Sequence, residues 1–282
     1  MNEMVWINGT LCPAEEVRIS PFDHGITVGN GVFETMICYA GTPFAFTRHH
    51  ERLVKSATAM GLAVRVQDEL MSASVAVLEA NNLSAVRARL RITVTGGPAP
   101  LGSERGEAAE TTLVAASAAA QWAPTEDVVV VSCTRNEQGA LAGLKTTSYG
   151  ENVVALTRAG EAGAGEAIFA NTRGDLCEGT GSNVFLVSDG QLITPPLSSG
   201  CLPGVTRALV MELCEREGVS VLEKAVPVGS LSRASEAFLT STTREVHPIR
   251  KVDAVELPLA PGKITAHLQD AFQRLTEGEA DP

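Results

Sequence analysis

The sequence predicts a mixed α/β fold in two domains, and three observations carry that reading. Its 282 residues suffice for about two hydrophobic cores. A first half of hairpin signals, two helical patterns and one sharply alternating strand gives way to a second half in which strand and helix signals alternate, the layout of an α/β chain with mixed strand directions. Between the halves lies ASAAAQWAPTE, a small-residue stretch that marks an interdomain linker at 116–126. A smaller N-terminal domain then spans 1–115 and a larger C-terminal domain 127–282.

Composition narrows the function classes. Hydrophobic residues at 44% and charged residues at 20% describe an ordinary globular chain, and a net charge of -11 argues against nucleic acid or an anionic membrane as partner. The opening MNEMVWINGTLCP has neither a basic region nor a long apolar stretch, and no later run approaches the roughly 20 apolar residues that span a bilayer. A cytoplasmic location is therefore expected. Six scattered cysteines without a CxxC pair read as reduced, mostly buried thiols, and five histidines without HxxxH or HExxH spacing predict no metal site.

In chain order, Asn8 and Gly9 suit the centre of a tight hairpin, and GVFETMICYAGTPFAF predicts a second strand pair turning near Ala40 and Gly41. Thr47 is the expected N-cap of a helix whose stripe is Leu53, Ala57 and Met60. A further helix is expected over about 67–79. VRARLRITVTGG then alternates strictly, with Val86, Ala88, Leu90, Ile92 and Val94 on one face and Arg87, Arg89, Arg91, Thr93 and Thr95 on the other. The basic face is either solvated, or Arg89 or Arg91 receives a substrate carboxylate, whose geometry a planar guanidinium matches. Residues 96–109 read as a mobile loop before the strand TTLVAA.

The second half predicts strands in DVVVVSC, EAIFAN, LCEGTGSNVFLV, QLITPP, VSVLEKAVPV and EAFLTSTTREVHPI. One helix begins near Val205 or Thr206 and stops at Gly218, and an amphipathic one covers about 264–275.

The chemistry centres on ALAGLKTTSYGEN. Ser148 and Glu151 have capping-box spacing, so a helix carrying Val153, Leu156 and Ala159 begins at about Tyr149. Lys145 lies just ahead of it, beside Leu141, Ala142 and Leu144. A helix N-terminus and an apolar setting both disfavour an ammonium, and an amine so tuned suits a Schiff base. In CLPGVTRAL a turn delivers free amides and the Thr206 hydroxyl at a helix start, a seat for phosphate. In LTSTTREV four hydroxyls, Thr240 to Thr243, close a strand as phosphate donors or as loop caps. Glu178, in the apolar stretch CEGTGSNVF, is either exposed or meets a cation.

LKTTSYGENVVA, EGTGSNVF and LPGVTR in this order, with GNGVFETM and HHERL before them and LTSTTREVHPI after, resemble the class IV aminotransferases. These are the fold type IV pyridoxal phosphate (PLP) enzymes, among them branched-chain and D-amino acid aminotransferases and 4-amino-4-deoxychorismate lyase. The resemblance covers nearly the whole chain and implies a smaller N-terminal α/β domain with a larger C-terminal pseudo-barrel that binds PLP. It implies that Lys145 carries the cofactor as a Schiff base and shuttles the substrate proton, and that Glu178 pairs with the pyridine nitrogen. It further assigns Arg52, the amides of Val205 and Thr206, and Thr242 to the phosphate, with Ser182, Ser241 and Tyr149 beside the cofactor. Phe33, Thr35, Arg89 and Arg91 fall to the substrate.

Departures from the pattern bear on the substrate. Asn30 stands where the family has aspartate in GDGVFE, and Ile37 where branched-chain enzymes carry an arginine after GVFEG. Arg91 matches the branched-chain strand arginine, while the tyrosine two residues earlier is Arg89. The resemblance thus implies a transaminase acting between an amino acid and a 2-oxo acid, branched-chain-like or D-amino acid, as a homodimer. The alternative is 4-amino-4-deoxychorismate lyase, which releases pyruvate and 4-aminobenzoate.

Overall fold

In the structure, a computed structural model that describes residues 3–282, Asn8 and Gly9 take φ of 48° and 101° and turn β1 (Met4–Ile7) into β2 (Thr10–Pro13). A four-residue helix α1 (His24–Thr27) follows, capped by the buried Asp23 carboxylate, which accepts from Gly25 N at 2.8 Å and from the Thr95 and Thr111 hydroxyls. Next come β3 (Gly31–Tyr39), a tight turn at Ala40 and Gly41, β4 (Thr42–Pro43), α2 (Phe46–Ala59), α3 (Gln67–Ala80), β5 (Ala88–Thr95) and β6 (Thr111–Ala118). The strands form one antiparallel sheet in the order β2-β1-β6-β5-β3-β4. Val32, Met36, Leu90, Ile92, Val94 and Val114 share one face and bury Leu53 and Ala57 of α2 with Leu70, Val77 and Leu78 of α3. This unit holds the chain to Ala120, together with Leu144–Ser148 and Glu279–Pro282.

The second unit comprises Gln121–Gly143 and Tyr149–Gly278. Its elements are β7 (Glu126–Val130), α4 (Gly150–Glu161), β8 (Glu166–Ala170), β9 (Leu176–Gly179), β10 (Asn183–Ser188), β11 (Gln191–Thr194), α5 (Val205–Arg216), β12 (Val221–Glu223), β13 (Glu236–Ser241), β14 (Glu245–Val252), β15 (Val255–Glu256) and α6 (Lys263–Gly278). Among the described residues they form a nine-stranded sheet, β12-β11-β10-β13-β14-β7-β8-β9 with β15 on β14. Its pairs run both ways: β7 is parallel to β8 and β14, while β10, β13 and β14 are antiparallel neighbours. Val128, Ile168, Leu176, Leu186, Ile193, Leu239 and Ile249, from seven strands, meet in one cluster, so the sheet curls around its core.

Five local expectations change. The Thr47 hydroxyl does not cap α2; Ala45 occupies that position with φ 54°, and the hydroxyl bonds Asp281. Ser148 makes no capping box, because its hydroxyl donates to the Gly29 carbonyl, and α4 begins at Gly150. The buried face of α4 is Asn152, Ala155 and Ala159, small enough to approach β8 closely, which leaves Val153 and Leu156 exposed. Val86 lies outside β5 and is exposed, and LCEGTGSNVFLV breaks into β9 and β10 at Thr180–Ser182. No helix among the described residues is long and apolar enough to cross a membrane, and none of their His, Cys, Asp and Glu clusters could hold a metal.

Candidate active site

In the first unit the segment Leu144–Ser148 lies along the start of β3. Phe33 N donates to the Lys145 carbonyl at 3.1 Å, Thr147 N to Gly31 O at 2.8 Å, and Lys145 N to the Ser56 hydroxyl of α2 at 3.1 Å. Gly31 makes the approach possible: a Cβ there would stand 2.8 Å from Thr147 Oγ1. The half-buried Lys145 places Nζ 4.5 Å from the centroid of the Phe33 ring, and the Arg91 guanidinium sits 3.7 Å from the same centroid. Two basic groups thus share one aromatic ring. Antiparallel register sets Thr35 directly across from Arg91 and Ile37 across from Arg89, so these side chains share the sheet face opposite the core. Arg89 and Arg91 are both exposed.

The other face of β3 carries a group to which the sequence reading assigned no role. Glu34 follows the apolar phase of Val32, Met36 and Cys38 and is fully buried. Its carboxylate binds Arg52 in a fork, Nε to Oε1 at 2.6 Å and Nη2 to Oε2 at 2.7 Å, and also meets His49 Nδ1 at 2.7 Å. Burial alone would raise its pKa; Arg52 first and His49 second override that and hold the carboxyl far below the usual carboxylate range. Burial pushes the His49 ring down while Glu34 pulls it up, and the net direction is down. A carboxylate on the apolar phase of a strand was the available sequence signal for a buried cation partner.

The second unit carries the remaining candidates. Glu178 is buried on β9, and its cation is Arg135, with Nε 3.1 Å from Oε1, while Oε2 accepts Leu202 N at 2.8 Å. Arg135 also lies 4.3 Å from the Phe169 ring centroid and reaches Glu151 and Asn152 Oδ1. Nothing around Arg135 in the sequence announces this role, because its partners come from β9 and α4. Ser182 donates its hydroxyl to Glu166 at 3.0 Å, and Thr180 N reaches the same buried carboxylate at 2.9 Å. Glu166 therefore holds the turn after Glu178, a second residue that sequence reasoning missed.

At α5, Gly204 is the N-cap without a side-chain cap, which leaves the amides of Val205 and Thr206 in an uncapped first turn; both residues are buried. Gly204 is obligatory, since a Cβ would stand 2.0 Å from Asn183 Oδ1. The turn from β13 to β14 contains Ser241, Thr242 and Thr243, with Arg244 N donating to Ser241 Oγ at 3.3 Å. Buried Thr240 Oγ1 beside it has no hydrogen-bond partner among the described residues. Tyr149 is half-buried immediately before α4. The buried thiols of Cys38 and Cys201 are poor nucleophiles: burial pushes Cys38 up to about 12 and Cys201 to about 11.

The amino-transferase class IV profile matches residues 31–252. A putative branched-chain-amino-acid aminotransferase of Methanocaldococcus jannaschii is 31% identical, covering 95% of each chain. The D-alanine aminotransferase of Bacillus licheniformis is 33% identical, again over 95% of both, and the aminodeoxychorismate lyase of Bacillus subtilis is 29% identical over 96% of this chain and 94% of its own. Among solved structures, the Escherichia coli branched-chain amino acid aminotransferase superimposes with a TM-score of 0.91 at 30% identity, over 98% of this chain and 95% of that one. The Thermobaculum terrenum branched-chain enzyme, in its PLP-form, gives 0.88 at 28% identity over 98% and 94%. A profile spanning most of the sequence, relatives matched along nearly their full lengths and a shared two-sheet architecture make this chain a member of the class IV aminotransferase family.

Proposed function

We propose that the protein is a PLP-dependent aminotransferase that moves an amino group between an amino acid and a 2-oxo acid. The observation that carries the reading is the setting of Lys145: a half-buried amine fixed by its own backbone bonds to β3 and α2 and set against the Phe33 ring. The residues present fit PLP. In the second unit an uncapped helix start at Val205 and Thr206, the unpartnered Thr240 hydroxyl and the Thr242 turn suit a phosphate, and the Glu178 carboxylate suits a protonated ring nitrogen; in the first unit the buried Arg52 guanidinium suits an anion. When bound, PLP supplies the electron sink for charge developing at the substrate's α carbon. Lys145 would hold the group covalently and would then carry the proton at that carbon. Glu178, paired with Arg135, would hold the proton of the ring nitrogen.

Arg91, Thr35 and Phe33, with Arg89 further along the same face, line the substrate side. Exposed guanidinium groups favour a substrate with a carboxylate beyond the reacting carbon. A branched-chain relative solved with N-(5'-phosphopyridoxyl)-L-glutamate supports an L-amino acid, and the D-alanine relative keeps the opposite hand in the test. The lyase alternative stands on the Bacillus subtilis relative and on Thr35. The test is a panel of L- and D-amino acids added singly, without acceptor, while the cofactor spectrum is followed. Conversion of bound cofactor to its amine form by at least one amino acid is expected. No conversion with any of them, combined with pyruvate release from aminodeoxychorismate, would replace the reading by the lyase.

We further propose a cytoplasmic homodimer, in which the six thiols, free in the structure, stay reduced. Phe22, Ile26 and Leu101 of the first unit, and Val153, Val154 and Leu156 on α4, are exposed apolar surface that a second copy of the chain covers. Light scattering is expected to give twice the chain mass; an active species at the mass of one chain contradicts the dimer.

A further inference from the structure

Helix α2 has no cap in its own neighbourhood. Ala45 stands at the N-cap position in left-handed backbone, φ 54° and ψ 40°, and offers no side-chain acceptor to the first-turn amides. The acceptors come from the other end of the sequence. Ala45 N donates to the Ala280 carbonyl at 2.8 Å, Thr47 N to Asp281 Oδ1 at 2.9 Å, the Thr47 hydroxyl to Asp281 Oδ2 at 2.5 Å, and Arg48 Nε to the Pro282 carbonyl at 2.6 Å. Gln67, the first residue of α3, donates to the same Thr47 hydroxyl at 2.9 Å. Ala280, Asp281 and Pro282 thus supply acceptors to the Ala45 and Thr47 amides and to the Thr47 and Arg48 side chains at the start of α2, and the Asp281 carboxylate stands where a helix favours negative charge.

The turn held in this way carries His49, and the next carries Arg52. Both are buried and both bind Glu34 on β3. A helix passes a displacement of its first turn to the second, because each residue after the cap is tied to the one four before it; His49 N to Ala45 O, at 3.1 Å, is the first such bond. We propose that Asp281 is a positioning residue for Arg52: it caps α2 from a distant point of the sequence and so sets the register in which His49 and Arg52 meet Glu34 and in which the guanidinium is presented to an anion. This rests on the assignment of Arg52 to the cofactor phosphate.

The test compares Asp281→Ala, Asp281→Asn and deletion of 279–282 in the full chain. The readouts are the dissociation constant for PLP and the hydrogen exchange of the amides from His49 to Arg52. Asp281→Ala and the deletion are expected to weaken PLP binding about fivefold to tenfold, the size of one lost helix cap, and to speed exchange through Arg52. Asp281→Asn, which keeps an acceptor for the Thr47 amide and loses the one for the Thr47 hydroxyl, is expected to bind PLP closer to the parent than to Asp281→Ala. A tail that merely stabilises the fold would lower the thermal midpoint and leave the dissociation constant unchanged, which overturns the proposal, as does an asparagine variant no better than alanine. If the parent chain itself binds no PLP, the cofactor assignment falls, and exchange at His49 to Arg52 decides alone: faster in Asp281→Ala supports positioning, unchanged overturns it.

Discussion

Lys145→Ala is expected to abolish the covalent cofactor link and to cut transamination by on the order of 10^4-fold or more, because one side chain is asked to serve both as nucleophile and as proton carrier. The fold is expected to survive. The bonds that seat the segment, Phe33 N to the Lys145 carbonyl and Lys145 N to Ser56, belong to the backbone and persist in alanine. What leaves with the ammonium group includes its contact with the Phe33 ring, worth about 0.5–1 kcal/mol. Borohydride reduction followed by peptide mapping checks the site directly. A pyridoxyl adduct on any residue other than 145, or activity within tenfold of the parent, would sink the assignment.

Glu34→Gln carries the largest expected effect on stability. The substitution leaves the Arg52 guanidinium, nine-tenths buried, without its counter-charge, and breaking such a pair from one side is worth about 3–5 kcal/mol. The pH dependence has a definite sign. In the folded chain the Glu34 pKa is held far below its unfolded value, so its contribution is fully present above the unfolded pKa and is lost as pH falls toward the folded one. Urea unfolding of parent and variant is expected to show a constant difference above about pH 6 and a shrinking one below about pH 4.5. His49 works in the same direction in the parent. Its folded pKa is depressed, so acidification below the ordinary histidine range already begins to favour the unfolded chain. A parent-to-variant difference that grows on acidification would contradict the assignment of the charge to Glu34.

Much of the architecture was legible because it is local. Left-handed Asn8 and Gly9, and Ala40 and Gly41, turn their hairpins where the residue types predict, and β5 alternates buried and exposed from Ala88 to Thr95. The failures were local rules overruled by distant partners. Ser148 has the right spacing for a capping box, yet the Gly29 carbonyl takes its hydroxyl. Val153 and Leu156 have helical spacing, yet the face that packs is the one with alanines, since β8 and Phe169 come too close for larger side chains. Thr47 resembles a cap and instead bonds Asp281.

The sequence by itself determined which chemistry-bearing residues exist and in what order: an amine ahead of a helix, a lone carboxylate in an apolar strand, a proline-glycine turn opening a helix, and a run of hydroxyls. Their order alone was enough to point to the family. Only the tertiary structure decided who charges and orients whom. Arg135 beside Glu178, Glu34 in the fork of Arg52, Glu166 under the Thr180–Ser182 turn and Asp281 at the head of α2 all pair residues far apart in the chain. The physical reason is that a buried charge is tolerated only where an opposite charge or a set of donors faces it, and strand register, not proximity in sequence, determines which residues face one another.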